Sequence, residues 1–250
     1  MYDLPSDIFF DTSPSLYTIA IESTKVSSIF SNTFSPLFGL QELFMSKNSI
    51  RSISDGTFNN LTSLLKLELS HNSITNLDDN VFQEPRELRH NSQSALSVEP
   101  FLSGERITEL IFCNSSIISI HPAFLEKIPS IKTVDFSNNK LSSIPEDLFL
   151  KSKQLYKVIL RENNISELLP NTFSNNPKLE DLDISSNLIS SLHDKIFANN
   201  HELRYLDISN NQLTTLSNVI FYNKSSLASL HAANNQLRFI DPALLNTSRR

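Results

Sequence analysis

The chain is poor in cysteine, in basic residues and in long apolar runs, and each shortage excludes a class of protein. A single Cys among 250 residues excludes the disulfide framework that holds many small secreted domains together. No stretch has the roughly 20 consecutive apolar residues that a membrane-spanning helix needs. Basic residues number 21 against 27 acidic ones, a net charge of −6. We therefore expect no membrane-spanning segment in this chain and no nucleic acid as partner.

The short motifs of common enzymes are also missing. The sequence has no H-E-x-x-H, no phosphate-binding loop and no G-x-S-x-G, each of which places reactive groups at a fixed spacing. Its six His and one Cys are scattered and lack the spacing of metal ligands. We predict that the protein is not an enzyme and has no catalytic residues, no metal and no cofactor.

Apolar residues recur throughout the chain with a period of 24 residues. Residues 179–197 show one copy, L-x-x-L-x-I-x-x-N-x-I-x-x-L-x-x-x-x-F. A fixed period of this length is typical of a solenoid, in which each repeat buries its apolar face against its neighbours. The repeats begin at Leu16, Leu40, Leu64, Leu88, Ile107, Ile131, Leu155, Leu179, Leu203 and Leu227.

Each half of the repeat predicts a structure. The first half alternates as a strand with one buried face does, with Leu182 and Ile184 inward and Asp183 outward. Strands that return in the same direction every 24 residues must pair as a parallel sheet. The ninth position should turn the chain and bridge main-chain groups of neighbouring coils; it is Asn48, Asn72, Asn139, Asn163, Asn187, Asn211 and Asn235, with Thr24 and Ser115 as substitutes. The phenylalanine near the end of the repeat should stack as a spine; it is Phe34, Phe58, Phe82, Phe149, Phe173, Phe197 and Phe221, with Leu125 and Leu245 as substitutes.

This pattern resembles the typical leucine-rich repeat of animal extracellular proteins, a class that includes insect Toll-like receptors, Slit-type proteins and related adhesion and immune proteins. Residues 4–245 carry the resemblance. It implies an α/β fold, a leucine-rich repeat solenoid or horseshoe with a parallel β-sheet on the concave face and an irregular or short-helical convex side. It also implies a non-catalytic protein-binding module, part of an extracellular receptor, adhesion or innate-immune ectodomain. An intracellular scaffold is the alternative.

We expect one domain over residues 1–250 with about ten repeats, two of which are irregular. A partial repeat occupies residues 1–15. Ile107 follows Leu88 by only 19 residues, so five residues are missing at His90–Asn91. This degenerate repeat at 88–106 should have a short or absent strand and a local bend. Because both ends fall inside a repeat and lack cysteine-rich caps, we favour an excerpt of a longer ectodomain over a complete protein without caps.

The outward side chains of the strands form the predicted binding surface. Aromatic and aliphatic groups on a rigid sheet are typical interaction hot spots, although single exposed apolar residues are also ordinary. Asp183 and Asp207, about 4.8 Å apart on adjacent strands, would suit acid–base chemistry beside a His only in a desolvated pocket, which an open sheet face does not provide. The predicted ligand-binding residues are Phe44, Ile111, Tyr156, Ile159, Tyr205, Asp183, Asp207 and His231.

The compartment follows from the resemblance more than from the residues. We expect an extracellular or cell-surface location within a longer chain, with cytoplasmic as the alternative, and a protein ligand, a co-receptor or a microbial glycan as partner. Cys113 stands where several repeats have Ser and is interpreted as inert, an intermolecular disulfide being the alternative. A composition of this kind produces roughly five glycosylation sequons by chance; they lie at Asn60, Asn114, Asn164, Asn223 and Asn246.

Overall fold

The computed structural model describes residues 2–5, 7–12, 15–31, 33–82, 106–222, 224–240 and 244. These residues form a solenoid whose concave side is a nine-stranded sheet, and the strands pair in parallel in chain order. The predicted solenoid with a parallel sheet is confirmed. Its strands are β2 (Thr18–Ala20), β4 (Glu42–Phe44), β5 (Lys66–Glu68), β7 (Glu109–Ile111), β9 (Thr133–Asp135), β10 (Lys157–Ile159), β11 (Asp181–Asp183), β12 (Tyr205–Asp207) and β13 (Ser229–His231).

The convex side of the described residues consists of turns, two small sheets and one short 3₁₀ helix, Asn218–Phe221. Ser217 caps this helix, since its side chain accepts a hydrogen bond from the Val219 N–H. The small sheets form because the second halves of the repeats, which lead the chain back to the next strand, also lie side by side. They are β1 (Tyr2–Leu4) paired with β3 (Val26–Ile29) and β6 (Asn76–Leu77) paired with β8 (Ser119–Ile120).

Seven of the nine sheet strands, β4 through β12, have the same burial pattern, one inward side chain between two outward ones. In β10, Val158 is fully buried, whereas Lys157 and Ile159 are half-buried on the concave face. Leu155 and Leu160, which flank this strand, are also buried. The leucine spacing therefore places one continuous apolar core behind the sheet, and the sheet presents its other side chains to the concave face.

The ladder asparagines bridge neighbouring coils, as predicted. Asn187 Nδ2 donates to the carbonyl of Leu160 one coil back at 3.0 Å and to its own coil at Ile184 and Ser185 at 3.1 and 3.0 Å. Its Oδ1 accepts from the N–H of Ile165 at 3.0 Å. Asn48, Asn72, Asn139, Asn163, Asn211 and Asn235 repeat this arrangement.

The phenylalanine spine is confirmed in two runs. Rings from Phe9 through Phe34 and Phe58 to Phe82 have centroids 5.6–6.2 Å apart, and those of Phe149, Phe173 and Phe197 lie 5.7 and 6.3 Å apart. The prediction that Leu125 takes the phenylalanine place in its repeat is confirmed. Leu125 is buried, and its carbonyl accepts from the Ile128 N–H at 3.0 Å, as the Phe34 carbonyl accepts from Leu37. The preceding Phe124 is also buried, and its ring lies 5.8 Å from that of Phe82 and 6.1 Å from that of Phe112.

The irregular repeat at 88–106 lies outside the described residues except Arg106, so its strand and bend stay predictions. On either side of it, β5 pairs directly with β7, Lys66 opposite Glu109 and Glu68 opposite Ile111. The small pair of β6 and β8 crosses the same interval. The sheet therefore continues through this interval with β5 and β7 as direct neighbours.

Position eight of each described repeat has a left-handed backbone without glycine. The φ angles lie between 51° and 57°, a conformation that costs an ordinary residue roughly 1–2 kcal/mol. The N–H of this residue still reaches the next coil, as from Glu162 to the Ser185 carbonyl at 3.1 Å, which offsets the strain. The sequence analysis did not predict this feature. The signal was the recurrence of Asn at position eight, since Asn tolerates the left-handed backbone conformation. The residues are Ser23, Lys47, His71, Asn114, Asn138, Glu162, Ser186, Asn210 and Asn234.

A second asparagine ladder, also missed from the sequence, lies on the convex side of the later repeats. Asn176 Nδ2 donates to the carbonyls of Phe149 and Ser152, and Asn200 Nδ2 repeats this one coil later. The next equivalent position is Lys224, whose residue surface is 1% exposed and whose ammonium donates to the Ala198 carbonyl at 3.4 Å. Burial lowers the pKa of Lys224, because the charged form loses hydration.

Candidate binding surface on the concave sheet

The third residue of each strand forms one row of outward side chains across the sheet. Cross-strand register places them directly opposite one another, so that six of the eight predicted binding residues fall in this row. Tyr205 is the first residue of β12, and Tyr156 immediately precedes β10. The row runs Ala20, Phe44, Glu68, Ile111, Asp135, Ile159, Asp183, Asp207 and His231.

The middle of the row contains a shallow depression of about 300 Å³. It spans four strands, β9 to β12, and brings together three of the predicted residues, Ile159, Asp183 and Tyr205. Polar groups surround this apolar centre on the flanking strands, as in many recognition surfaces. The remaining lining residues are Asp135, Lys157, Arg161 and Asp181.

Tyr205, Asp207 and His231 form a contact group beside the depression. The Tyr205 hydroxyl donates to Asp207 Oδ2 at 3.2 Å, and its ring lies 5.3 Å from the His231 ring. His231 Nε2 is also 2.8 Å from Ser229 Oγ. Burial and the charge of Asp207 raise the pKa of Tyr205. These contacts hold the Tyr205 ring in one place, which lowers the conformational entropy that it loses on binding.

Phe44 and Ile111 lie on the earlier strands and are separated from each other by Glu68. The Lys66 ammonium lies 5.6 Å from the centroid of the Phe44 ring, a cation–π contact. The same ammonium is 3.0 Å from Glu109. Phe44 and Ile111 therefore form two separate apolar patches, both distinct from the depression around Ile159.

Several charged side chains on the concave face form ion pairs with each other. Lys157 lies 2.6 Å from Asp181, and Arg204 lies 3.2 Å from Glu180. Arg161, by contrast, has no ion pair within 4 Å among the described residues, although it lines the depression. Its place, the seventh in the repeat, is Ser in most other coils, so its guanidinium sets this coil apart from them.

The two aspartates that could do acid–base chemistry are bound to neighbouring serines. Asp183 Oδ1 accepts from the Ser185 N–H and hydroxyl at 3.0 and 2.6 Å, and Asp207 Oδ1 accepts from Ser209 in the same way. Both stay half-exposed on an open face. Among the described residues, no three His, Cys, Asp or Glu side chains converge as metal ligands. This arrangement fixes the carboxylates as parts of a surface and gives them no enclosed site.

Cys113 is half-buried on the same face, beside the Ile111 patch. Burial, followed by the charge of Asp135, raises the pKa of the Cys113 thiol. Since the thiolate is the reactive form, this environment favours the interpretation of Cys113 as an inert residue.

A family model described as leucine-rich repeat matches residues 39–90, 153–213 and 177–237, together more than half of the chain. The chain belongs to the leucine-rich repeat family. A second leucine-rich repeat model matches residues 130–150. Proteins with leucine-rich repeats are in general non-catalytic interaction modules, and this protein has the fold of such a module. No curated protein matches the chain.

Solved leucine-rich repeat ectodomains superpose on most of this chain. A chain of the TLR13–ssRNA13 complex is 26% identical with a TM-score of 0.79, and the match covers 93% of this chain and 30% of that one. A chain of the glycosylated Toll–Spatzle complex from Drosophila is 21% identical with a TM-score of 0.75, covering 98% and 35%. A chain of the octameric complex of Latrophilin 3, Unc5D and FLRT2, in which FLRT2 supplies the leucine-rich repeats, is 24% identical with a TM-score of 0.76, covering 96% and 66%.

This chain therefore spans about a third of the length of the two Toll-type chains. Those neighbours are receptor ectodomains in complexes, one with RNA and others with proteins. Within the described residues, no helix has the length and apolar character needed to cross a bilayer.

Proposed function

We propose that this leucine-rich repeat solenoid is a non-catalytic recognition module of an extracellular receptor, adhesion or innate-immune protein. The carrying observation is the depression on β9 to β12, where Ile159 and Tyr205 lie beside the unpaired guanidinium of Arg161. Its partner is a protein ligand or co-receptor. An extracellular location is supported by the ectodomains that share its fold.

Three features of the depression favour a protein surface as ligand. Tyr156 is 46% exposed at its edge, and Tyr205 is held in place by Asp207 and His231. Tyrosine and arginine are enriched among interface hot spots because they combine apolar area with directed hydrogen bonds. The surrounding ion pairs, such as Lys157–Asp181, form a polar rim that needs no partner charge to be satisfied. Phe44, Ile111, Asp183, Asp207 and His231 belong to the proposed surface as flanking contacts.

A binding screen with two matched variants tests this proposal. The chain is fused to a pentamerisation domain, which raises its avidity. The pentamer is tested for binding to a panel of recombinant extracellular proteins and to a microbial glycan array. The concave variant carries Tyr156→Ala, Ile159→Ala and Tyr205→Ala. The control variant carries Leu150→Ala, Leu169→Ala and Val219→Ala, which removes three side chains of 42%, 40% and 53% exposure on the other faces.

We expect a protein ligand whose affinity falls at least about 100-fold with the concave variant and stays unchanged with the control. Circular dichroism of both variants checks that the fold is retained. Loss of binding with the control variant alone would show that the binding site is not on the concave face. Binding to glycans and to no protein would contradict the proposal of a protein partner.

A further inference from the structure

The three described sequons differ in how far their asparagine side chains are buried and hydrogen-bonded. We propose that Asn60 and Asn164 carry N-linked glycans and that Asn114 stays unmodified. Of the sequons in the described residues, none would then place a glycan on the concave sheet. This inference rests on the extracellular location proposed above. Asn223 and Asn246 lie outside the described residues and are left aside.

Asn164 is the most accessible of the three described sites. It directly follows the buried ladder residue Asn163, where the chain leaves the sheet, and its own side chain is exposed. The hydroxyl residue of the sequon, Ser166, is exposed as well. The Asn164 backbone is fixed by a 2.9 Å bond from its N–H to the Leu141 carbonyl, whereas its amide makes no hydrogen bond among the described residues. A glycan there points away from the core without displacing any contact.

Asn60 lies at the end of a convex turn. Its φ of 67° is left-handed, and its carbonyl accepts from the Thr62 N–H at 2.8 Å, so the sequon itself forms a tight turn. The side chain is exposed and, within the described part of the chain, it has no hydrogen-bond partner. The site lies before the start of β5 and outside the strands of the concave sheet.

Asn114 has the opposite environment. It is half-buried at position eight of its repeat, beside the Ile111 patch on the concave face. Its Oδ1 accepts from Asn138 Nδ2 on the next coil. Attachment of a sugar replaces one amide hydrogen of Nδ2 and turns that nitrogen toward solvent. A sugar on the half-buried Asn114 would crowd the Asn138 side chain that holds its Oδ1 and would cover part of the concave face.

Site-resolved mass spectrometry tests this distribution independently of where the native chain is located. Residues 1–250 are secreted from mammalian cells behind an added signal peptide, and total cell protein is collected as well. Peptide N-glycosidase in H₂¹⁸O then marks each occupied asparagine as ¹⁸O-aspartate. Asn60→Gln and Asn164→Gln are compared with Asn114→Gln as the matched control.

We expect the label at Asn60 and Asn164 in most molecules and at Asn114 in fewer than about one in ten. The first two substitutions should each remove one glycan from the intact mass, and Asn114→Gln should leave that mass unchanged apart from the residue itself. Substantial label at Asn114, or none at Asn164, would overturn the inference. If the chain with the added signal peptide shows the expected pattern but the native protein stays in the cytoplasm, the proposed extracellular location is wrong and the assignment of the sites stands.

Discussion

The amide of Asn187 joins three segments of backbone in two neighbouring coils. Its four hydrogen bonds reach Leu160, Ile165, Ile184 and Ser185, and the residue is 5% exposed. Buried main-chain groups must be paired because water cannot replace a lost partner there. Each such asparagine therefore stabilises the interface between two coils as well as its own turn.

Replacing this residue gives the first prediction. Asn187→Ala should lower the free energy of unfolding by about 3 kcal/mol, since it leaves several buried polar groups without partners. Urea denaturation followed by circular dichroism measures the change. The neighbouring exposed residue provides the control, and Asn164→Ala should change stability by less than about 0.5 kcal/mol. Equal losses in the two variants would show that the ladder adds nothing beyond the loss of an asparagine.

Lys224 gives the second prediction, because it occupies the convex ladder position that Asn176 and Asn200 hold in the preceding coils. Burial lowers its pKa in the folded state, so the unfolded chain binds more protons between that lowered value and the ordinary lysine value. The penalty is therefore fully present below the lowered pKa and disappears as pH rises through this interval. Lys224→Asn should stabilise the protein by on the order of 1 kcal/mol at pH 7, and the gain should shrink at pH 10.

Thermal unfolding at the two pH values measures this difference. Lys195→Asn, at an exposed position, serves as the control and should have little effect at either pH. A gain from Lys224→Asn that is equal at pH 7 and pH 10 would exclude desolvation of the ammonium as its cause.

Strands β5 and β7 meet at a junction that differs from the other described ones. Ser115 stands at the ladder position of this coil, and its buried hydroxyl has no hydrogen-bond partner among the described residues. The backbone bond from the Ser116 N–H to the Ile74 carbonyl at 3.1 Å is kept, as in the other coils. In other coils, the ladder Oδ1 accepts from the residue equivalent to Ile74, as Asn72 does from Ile50. This junction therefore lacks the bridge that joins the other coils.

Restoring the bridge gives the third prediction. Ser115→Asn should raise the free energy of unfolding by about 1–2 kcal/mol, because the new amide can accept from the Ile74 N–H and donate to the coil before it. Urea denaturation measures the gain, and hydrogen exchange should show slower exchange of the Ile74 amide. Ser116→Asn, one residue further, is the control. A destabilised Ser115→Asn variant would mean that the two coils at this junction lie too far apart for the ladder.

At the scale of the elements, the period predicted the strands, their parallel pairing and the inward side chains, because apolar spacing alone decides which face is buried. It failed where a contact depends on rotation of a side chain or on a single backbone angle. The ring contact of Phe124 with Phe82 was not predicted, since Phe124 stands one place before the phenylalanine position and only the three-dimensional packing brings the two rings together. The left-handed residue before each ladder position was missed because five of its nine examples are neither Asn nor Gly.

The stability of the whole molecule comes from the interfaces between neighbouring coils, and each coil also contributes its own outward residues to the surface. Each coil contacts the coils on either side, so the solenoid forms a rigid sheet whose outward residues vary without changing the fold. Sequence alone therefore predicted which residues face outward. It could not show that Lys157 pairs with Asp181 or that Arg161 stays free, because the choice among nearby charges depends on side-chain conformation.

Hydrogen–deuterium exchange of the protein alone and with its ligand is the most direct test of the concave surface. With the ligand identified by the binding screen, peptides covering residues 156–161 and 205–209 should exchange more slowly in the complex. Peptides covering residues 145–152 and 218–222 on the convex side should be unchanged. Protection confined to the convex peptides, with the concave strands unaffected, would contradict the account.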